Sequence, residues 1–225
     1  MALKTICIVG DEALVKEYIA LASSKRYKCT STPSKTTTLA LELTNISIEV
    51  KQKNLRRLDK SLKKSIPILS SSVTVTVAEQ NTWIKHPERL IGLGALPTLL
   101  QGSLLEFAPS SLTTDAVKAA AQVFARSLGK ETSLVQDSAG LVLPRILCSL
   151  INEACFALGE GIADGTDIDT AMKLGTNYPD GPVHWGMQIG LEQVHAVVAA
   201  LHRHFGDDRY RAAPLLRSAS FQDMI

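Results

Sequence analysis

The amino-acid sequence predicts an α/β domain followed by an all-α domain. Over the first hundred or so residues, short apolar runs alternate with charged, helix-like stretches, as in a sheet with helices packed on it. From about residue 113 the apolar residues recur every three or four positions, which is typical of amphipathic helices. We therefore predict an α/β domain over residues 1–108 and a helical domain over residues 109–225.

The N-terminal part begins with a strand-helix-strand pattern. Residues 5–9 are apolar on both faces and end at Gly10, as expected for a strand in the middle of a parallel sheet. Residues 13–24 have a helical spacing of apolar side chains, and Tyr27 to Thr30 form a second predicted strand. The polar residues 31–38 are predicted to be a loop.

Further strands are predicted from apolar or alternating runs. They cover residues 39–48, 66–69, 73–77, 89–93 and 104–107. Valine and threonine alternate over residues 73–77, which favours a strand with one face in water. The charged stretch 49–64 is predicted to be a solvated helix.

The C-terminal half contains three strongly periodic segments, residues 117–128, 143–158 and 194–205. Each places apolar residues at i, i+3, i+4 and i+7, so we expect three helices of a bundle. The apolar stripe on residues 143–158 is wide, which suits a helix packed on several sides or buried in a dimer interface.

Composition and charge narrow the class of function. The net charge is only +2 and both signs are interspersed, so no nucleic-acid partner is expected. The four cysteines form no CxxC pair, which favours the reducing cytoplasm. No apolar run reaches the roughly 18 residues needed to cross a bilayer, so no membrane role is expected. His202 and His204 cannot share one helix face, and no metal site is predicted.

Three C-terminal segments carry a family resemblance. SAGLVLPRILCSLINEACFALGEG, DIDTAMKLGTNYP and GPVHWGMQIGL follow one another from Ser138 and closely resemble the C-terminal domain of NAD-dependent 3-hydroxyacyl-CoA dehydrogenases. Upstream, residues 89–93 and 104–106 resemble the strand pair around the family's catalytic histidine. The resemblance implies a Rossmann-like NAD domain joined to a helical domain that usually dimerises. It also implies oxidation of L-3-hydroxyacyl-CoA to 3-ketoacyl-CoA.

The chain departs from the family's catalytic residues. The resemblance implies a histidine base, a glutamate that orients it and an asparagine that fixes the substrate oxygen. Gly94 stands at the histidine position and Pro144 at the asparagine position. Glu106 keeps the family spacing of twelve residues after position 94, which makes it the candidate catalytic residue. The other interpretation is that it is a solvated or salt-bridged residue at a strand end.

The cofactor motif is altered as well. A dinucleotide-binding turn has the pattern G-x-G-x-x-G, and the corresponding residues here are Gly10, Glu12 and Val15. Glu12 adds a negative charge where a pyrophosphate would lie. The acidic residue and the helical segment that follow the second strand in the family are also missing. Gly10 and Glu42 are the candidate cofactor-binding residues, although Gly10 could simply serve a tight turn.

These substitutions predict a family member in which hydride transfer to NAD is weak or lost. One alternative is an active 3-hydroxybutyryl-CoA dehydrogenase with a rearranged site. The preferred alternative is a non-catalytic homodimer that binds an acyl-CoA or another protein chain.

Overall fold

The computed structural model describes residues 3–218. The N-terminal domain contains a seven-stranded sheet in the order β2-β1-β3-β4-β5-β6-β7. Strands β1 to β5 are parallel, whereas β6 and β7 run in the opposite direction. The strands are β1 Thr5–Gly10, β2 Lys28–Thr30, β3 Thr37–Leu43, β4 Ile68–Ser71, β5 Leu90–Leu93, β6 Leu104–Ala108 and β7 Glu131–Leu134.

Helices cover both faces of this sheet. They are α1 Glu12–Ser24, α2 Ile48–Ser61, α3 Val77–Asn81 and α4 Asp115–Ser127. Side chains of α1 and α4 pack in one core cluster, and those of α2 and α3 pack in another. The predicted Rossmann-like α/β domain is therefore confirmed.

A helical domain follows, as predicted, but the predicted bundle helix over residues 117–128 is wrong, because α4 packs on the sheet of the α/β domain. The helical domain consists of α5 Leu143–Gly159, α6 Gly165–Thr176, α7 Pro182–Ile189, α8 Leu191–Phe205 and α9 Pro214–Arg217. Its core is built around α5 and α8, and it includes Val73 and Leu96 from the α/β domain. The two domains therefore share a packed interface. Within residues 3–218, no helix is both long enough and apolar enough to span a bilayer.

The sheet continues past residue 108. Strand β7 pairs with β6 in parallel, with Leu104 opposite Glu131, and α4 packs on the same sheet. Its four residues, Glu131–Leu134, are half-buried or exposed. A short, polar edge strand of this kind has no apolar run, which is why the sequence pattern did not reveal it.

The predicted strand at residues 73–77 is wrong. Val77 begins α3, and the Thr76 hydroxyl caps this helix by accepting a hydrogen bond from Glu79 N. The Asp137 carboxylate accepts further bonds from Val77 N and Ala78 N. The valines are buried because this loop lies between the two domains, so their alternation reflects packing and no sheet pairing.

Candidate functional site

The carboxyl ends of β1, β3, β4 and β5 lie at one edge of the sheet, with α8 of the helical domain above them. Ligands of open α/β sheets bind at this edge. Here the edge holds a set of hydrogen-bonded residues, which we call the cleft network. Its members are Asp11, Asn45, Ser71, Ala95 and Gln193.

Asp11 lies in the turn between β1 and α1. Its side chain makes no capping bond to α1. Instead, its Oδ2 accepts hydrogen bonds from Asn45 N at 2.8 Å, Ile46 N at 3.3 Å and Gln193 Nε2 at 2.8 Å. The Asp11 carboxylate thus links the loop after β3 to helix α8 of the helical domain through hydrogen bonds.

The Asn45 side chain lies at the centre of the network and is buried. Its Nδ2 donates to Ala95 O and to Gln193 Oε1, both at 2.9 Å. Its Oδ1 accepts from Ser71 Oγ at 2.6 Å. Every polar atom of this amide therefore has a partner inside the protein, and the cleft between the domains is closed at this point.

Gly10 ends β1 beside the Leu43 backbone. Its φ of +141° lies in a region that residues with a side chain rarely adopt. A Cβ at this position would lie 2.7 Å from Leu43 Cα, which is too close for van der Waals contact. The glycine is thus required by the β1–β3 contact itself, independently of any phosphate.

We expect Gly10→Ala to lower the free energy of unfolding by about 2–5 kcal/mol, because it combines backbone strain with overpacking. Urea denaturation followed by circular dichroism measures this loss. Gly175→Ala is the matched control, since a Cβ there meets nothing within 4 Å. It should leave stability unchanged or raise it by up to about 1 kcal/mol. Equal stability of the two variants would show that the contact between β1 and β3 does not require a glycine at position 10.

Strand β2 is too short to reach the carboxyl edge. Its last residue, Thr30, pairs with Cys7, whereas β1 continues to Gly10. Residues 31–36 then return directly to β3 without a helix. The edge beside β1 therefore offers no acidic residue at the end of β2, as the sequence pattern indicates.

Glu42, a candidate cofactor-binding residue, is completely buried in β3. Its Oε2 pairs with Lys51 Nζ at 2.5 Å and accepts from Ser70 Oγ at 3.2 Å. Its Oε1 accepts from Thr44 N and from Asn54 Nδ2. Lys51, placed by the sequence on a solvated helix, is only 1% exposed. The structure thus does not bring Glu42 to an open surface with Gly10.

Glu106, the candidate catalytic residue, lies on β6 opposite position 94. Its carboxylate accepts from Val142 N at 3.1 Å and Leu143 N at 2.9 Å, at the start of α5. A Cβ built on Gly94 would lie 3.2 Å from Glu106 Cβ and 3.3 Å from Leu141 Cδ1. Position 94 and Glu106 are therefore neighbours, but the Glu106 carboxylate is hydrogen-bonded to the N-terminus of α5.

Pro144 and the serines at the carboxyl end of β4 also take part in the internal structure of the protein. Pro144 lies in the first turn of α5 and is buried there, as its fixed φ allows. Ser70 and Ser71 donate to Glu42 and to Asn45, respectively, and the buried Ser72 hydroxyl has no partner among the described residues. The side chains of Ser70 and Ser71 are thus oriented by bonds inside the protein.

An apolar groove of about 330 Å³ lies between the loop after β5 and the helical domain. Its apolar lining consists of Leu99, Leu104, Leu143, Leu147 and Trp185. The loop is held by Thr98, whose φ is +70° and whose N–H donates to both Glu17 carboxylate oxygens. Burial raises the pKa of Glu17, while the bond from Thr98 N opposes that shift.

Sequence reasoning missed Asp11, Asn45 and Gln193. Asn45 follows β3 closely, and a polar residue after a buried strand is a usable indication of a site at the sheet edge. Gln193 lies 148 residues further along the chain than Asn45, and no local pattern connects the two. Asp11 lies between Gly10 and Glu12, at a position where the G-x-G-x-x-G pattern accepts any residue type.

Comparison with known families agrees with this architecture. Residues 20–138 match the 3-hydroxyacyl-CoA dehydrogenase NAD binding domain, and residues 140–221 match the 3-hydroxyacyl-CoA dehydrogenase C-terminal domain. A dinucleotide-binding type of α/β domain is thus joined to the matching helical domain. The chain belongs to the 3-hydroxyacyl-CoA dehydrogenase family.

Individual relatives support the same assignment. The chain is 33% identical over 168 residues to a 3-hydroxybutyryl-CoA dehydrogenase of Bradyrhizobium diazoefficiens, an alignment that covers 75% of this chain. It is 32% identical over 178 residues to one of Clostridioides difficile, with 79% of this chain covered. The chain spans 57% and 63% of the length of these two relatives.

A solved structure matches nearly the whole fold. The (S)-3-hydroxybutyryl-CoA dehydrogenase of Ralstonia eutropha superposes with a TM-score of 0.76 at 27% identity. The match covers 96% of this chain and 93% of that one.

Proposed function

We propose that this chain is a non-catalytic member of its family, which has lost NAD binding at the sheet edge and retains an acyl-binding groove. The observation that carries the proposal is the cleft network, in which Asp11, Asn45 and Gln193 bond to one another across the domain interface. The whole-enzyme reaction of the family is therefore not assigned to this chain.

The residues at the carboxyl edge do not fit a bound dinucleotide. A pyrophosphate would approach the turn after β1, where it would meet the negatively charged Asp11 carboxylate. The neighbouring Glu12 carboxylate is exposed and pairs with Lys16 Nζ at 2.6 Å. Binding would also have to break the bonds from Gln193 and Asn45 to Asp11. We propose that Gly10 and Glu42 stabilise the fold and do not contact a cofactor.

Proton transfer also lacks a group at the expected place. Gly94 has no side chain to accept a proton, and Glu106 is engaged by two backbone N–H groups of α5. Pro144 provides no side-chain donor where the family asparagine is expected. We propose that Glu106 has a structural role, in which its carboxylate joins β6 to the start of α5.

The apolar groove supports the proposal that the chain still binds an acyl group. Its volume of about 330 Å³ lies at the lower end of the range for small-molecule pockets. Leu143 and Leu147 of α5 and Trp185 of α7 form one apolar wall. This wall suits a short acyl chain.

NADH fluorescence tests the loss of the cofactor, because it reports on the nicotinamide ring itself. We expect no saturable change up to about 1 mM NADH, the upper end of ordinary Michaelis constants. A saturable change below about 0.1 mM that persists when Lys60 and Lys64 are both replaced by Ala would contradict the proposal.

S-butyryl-N-acetylcysteamine, a thioester without a nucleotide, tests the groove through Trp185 emission in a Trp83→Phe background. It should quench that emission, whereas N-acetylcysteamine should not.

Two further parts of the sequence interpretation are retained as proposals, and a third, the domain boundary, is revised. We propose a domain boundary near residue 139, where the two matched family domains meet, in place of residue 108. A homodimer through the helical domain is supported by the exposed apolar side chains of Ile146, Leu174 and Met187, and sedimentation would test it. The cytoplasmic location is also kept as a proposal, based on the cysteine spacing.

A further inference from the structure

A second polar site lies at the opposite, amino-terminal edge of the sheet. It is a cavity of about 720 Å³ between the end of α2, the loop before β4 and the loop before β5. We call it the basic cavity. Its lining includes the cations Arg56, Lys60, Lys63, Lys64 and Lys85, together with Trp83 and Ile84.

Positive charge is concentrated in this cavity. The five cationic side chains form no ion pair among residues 3–218. The one carboxylate in the lining, Asp59, is already neutralised by the buried Arg89 at 2.8 Å. Its other oxygen accepts from Lys85 N at 2.8 Å. The whole chain carries only +2, so this clustering does not follow from a generally basic protein.

The walls of the cavity are held in place. Buried Arg89 donates to the carbonyl oxygens of Asp59 and Lys63, both at 2.7 Å, and thereby ties the end of α2 to the following turn. The bond from Lys85 N to Asp59 fixes the second loop against the first. Trp83 and Ile84 are half-buried against the core cluster that contains Leu58. The indole is thus supported from behind while it lines the cavity.

We propose that the basic cavity binds a nucleoside diphosphate or triphosphate. Several unpaired cations around one cavity match a group with multiple phosphate charges, and a single carboxylate would not need them. The supported indole provides an apolar face on which a base can stack. The volume lies within the range of small-molecule sites. This site is separate from the carboxyl edge and does not depend on the proposed function.

ADP titration of the Trp185→Phe variant tests the proposal, because Trp83 is then the one remaining tryptophan of the chain. We expect quenching with a dissociation constant on the order of 0.1 mM. Lys60→Ala with Lys64→Ala should weaken binding by at least about tenfold, because hydrogen bonds to charged groups are lost. Lys53→Ala is the matched control, since this exposed lysine of α2 does not line the cavity, and it should change affinity less than about twofold.

Absence of quenching at about 5 mM ADP, or equal affinity of the lysine variants, would overturn the proposal. Pyrophosphate binding as tightly as ADP would show that the base does not stack on Trp83, and it would overturn the proposal that the ligand is a nucleotide. A single-stranded oligonucleotide binding about a hundredfold more tightly than ADP would point to nucleic acid instead. NADH and CoA also contain an adenosine diphosphate group. If NADH or CoA binds, and this binding is lost when Lys60 and Lys64 are replaced by Ala, then the ligand binds in the basic cavity. The proposal that NAD does not bind at the carboxyl edge is then unaffected.

Discussion

The purified protein is expected to oxidise NADH with acetoacetyl-CoA at no more than about 10⁻³ per second, roughly four orders of magnitude below an ordinary enzyme. A missing general base costs about 10²–10⁴ in rate, and a missing oxyanion donor about 10²–10³. Gly94 and Pro144 stand at those two positions. A turnover within tenfold of about 10 per second would disprove the non-catalytic assignment and favour a rearranged active site.

A restored variant distinguishes the two causes of inactivity. Gly94→His with Pro144→Asn would return the family's residue types, with the new Cβ at position 94 about 3.2 Å from Glu106 Cβ. We expect this variant to remain at least about a hundredfold below an ordinary enzyme, because Asp11, Asn45 and Gln193 still close the edge. Recovery of ordinary activity would show that the cleft network does not exclude the cofactor.

Lys51→Met is expected to lower the free energy of unfolding by about 3–5 kcal/mol, because it leaves the Glu42 carboxylate charged and buried without a counter-ion. Urea denaturation followed by circular dichroism measures this loss.

Two controls accompany Lys51→Met. Lys53→Met changes an exposed lysine on the same helix and should shift stability by less than about 0.5 kcal/mol. Glu42→Gln combined with Lys51→Met removes both charges and should recover at least half of the loss. A loss below about 1 kcal/mol in the single variant would show that Glu42 is not held by this ion pair.

Local patterns determined most of the architecture. The apolar run ending at Gly10 identified β1, and the three- and four-residue spacing of apolar side chains identified α5 and α8, because these patterns follow directly from the geometry of strands and helices. The family resemblance, carried mainly by residues 138–191, was confirmed by the matched family domains. The structure places position 94 next to Glu106, since their strands pair antiparallel.

Tertiary structure alone decided what the edge of the sheet contains. The bond between Asn45 and Gln193 joins residues 148 positions apart, and only the packing of the helical domain on the sheet brings them together. The same holds for Lys51, which the charged segment placed in water and which the fold buries against Glu42. Sequence patterns report the periodicity of one element at a time. They do not report which polar group of a distant element becomes its partner, because that depends on how the completed elements pack.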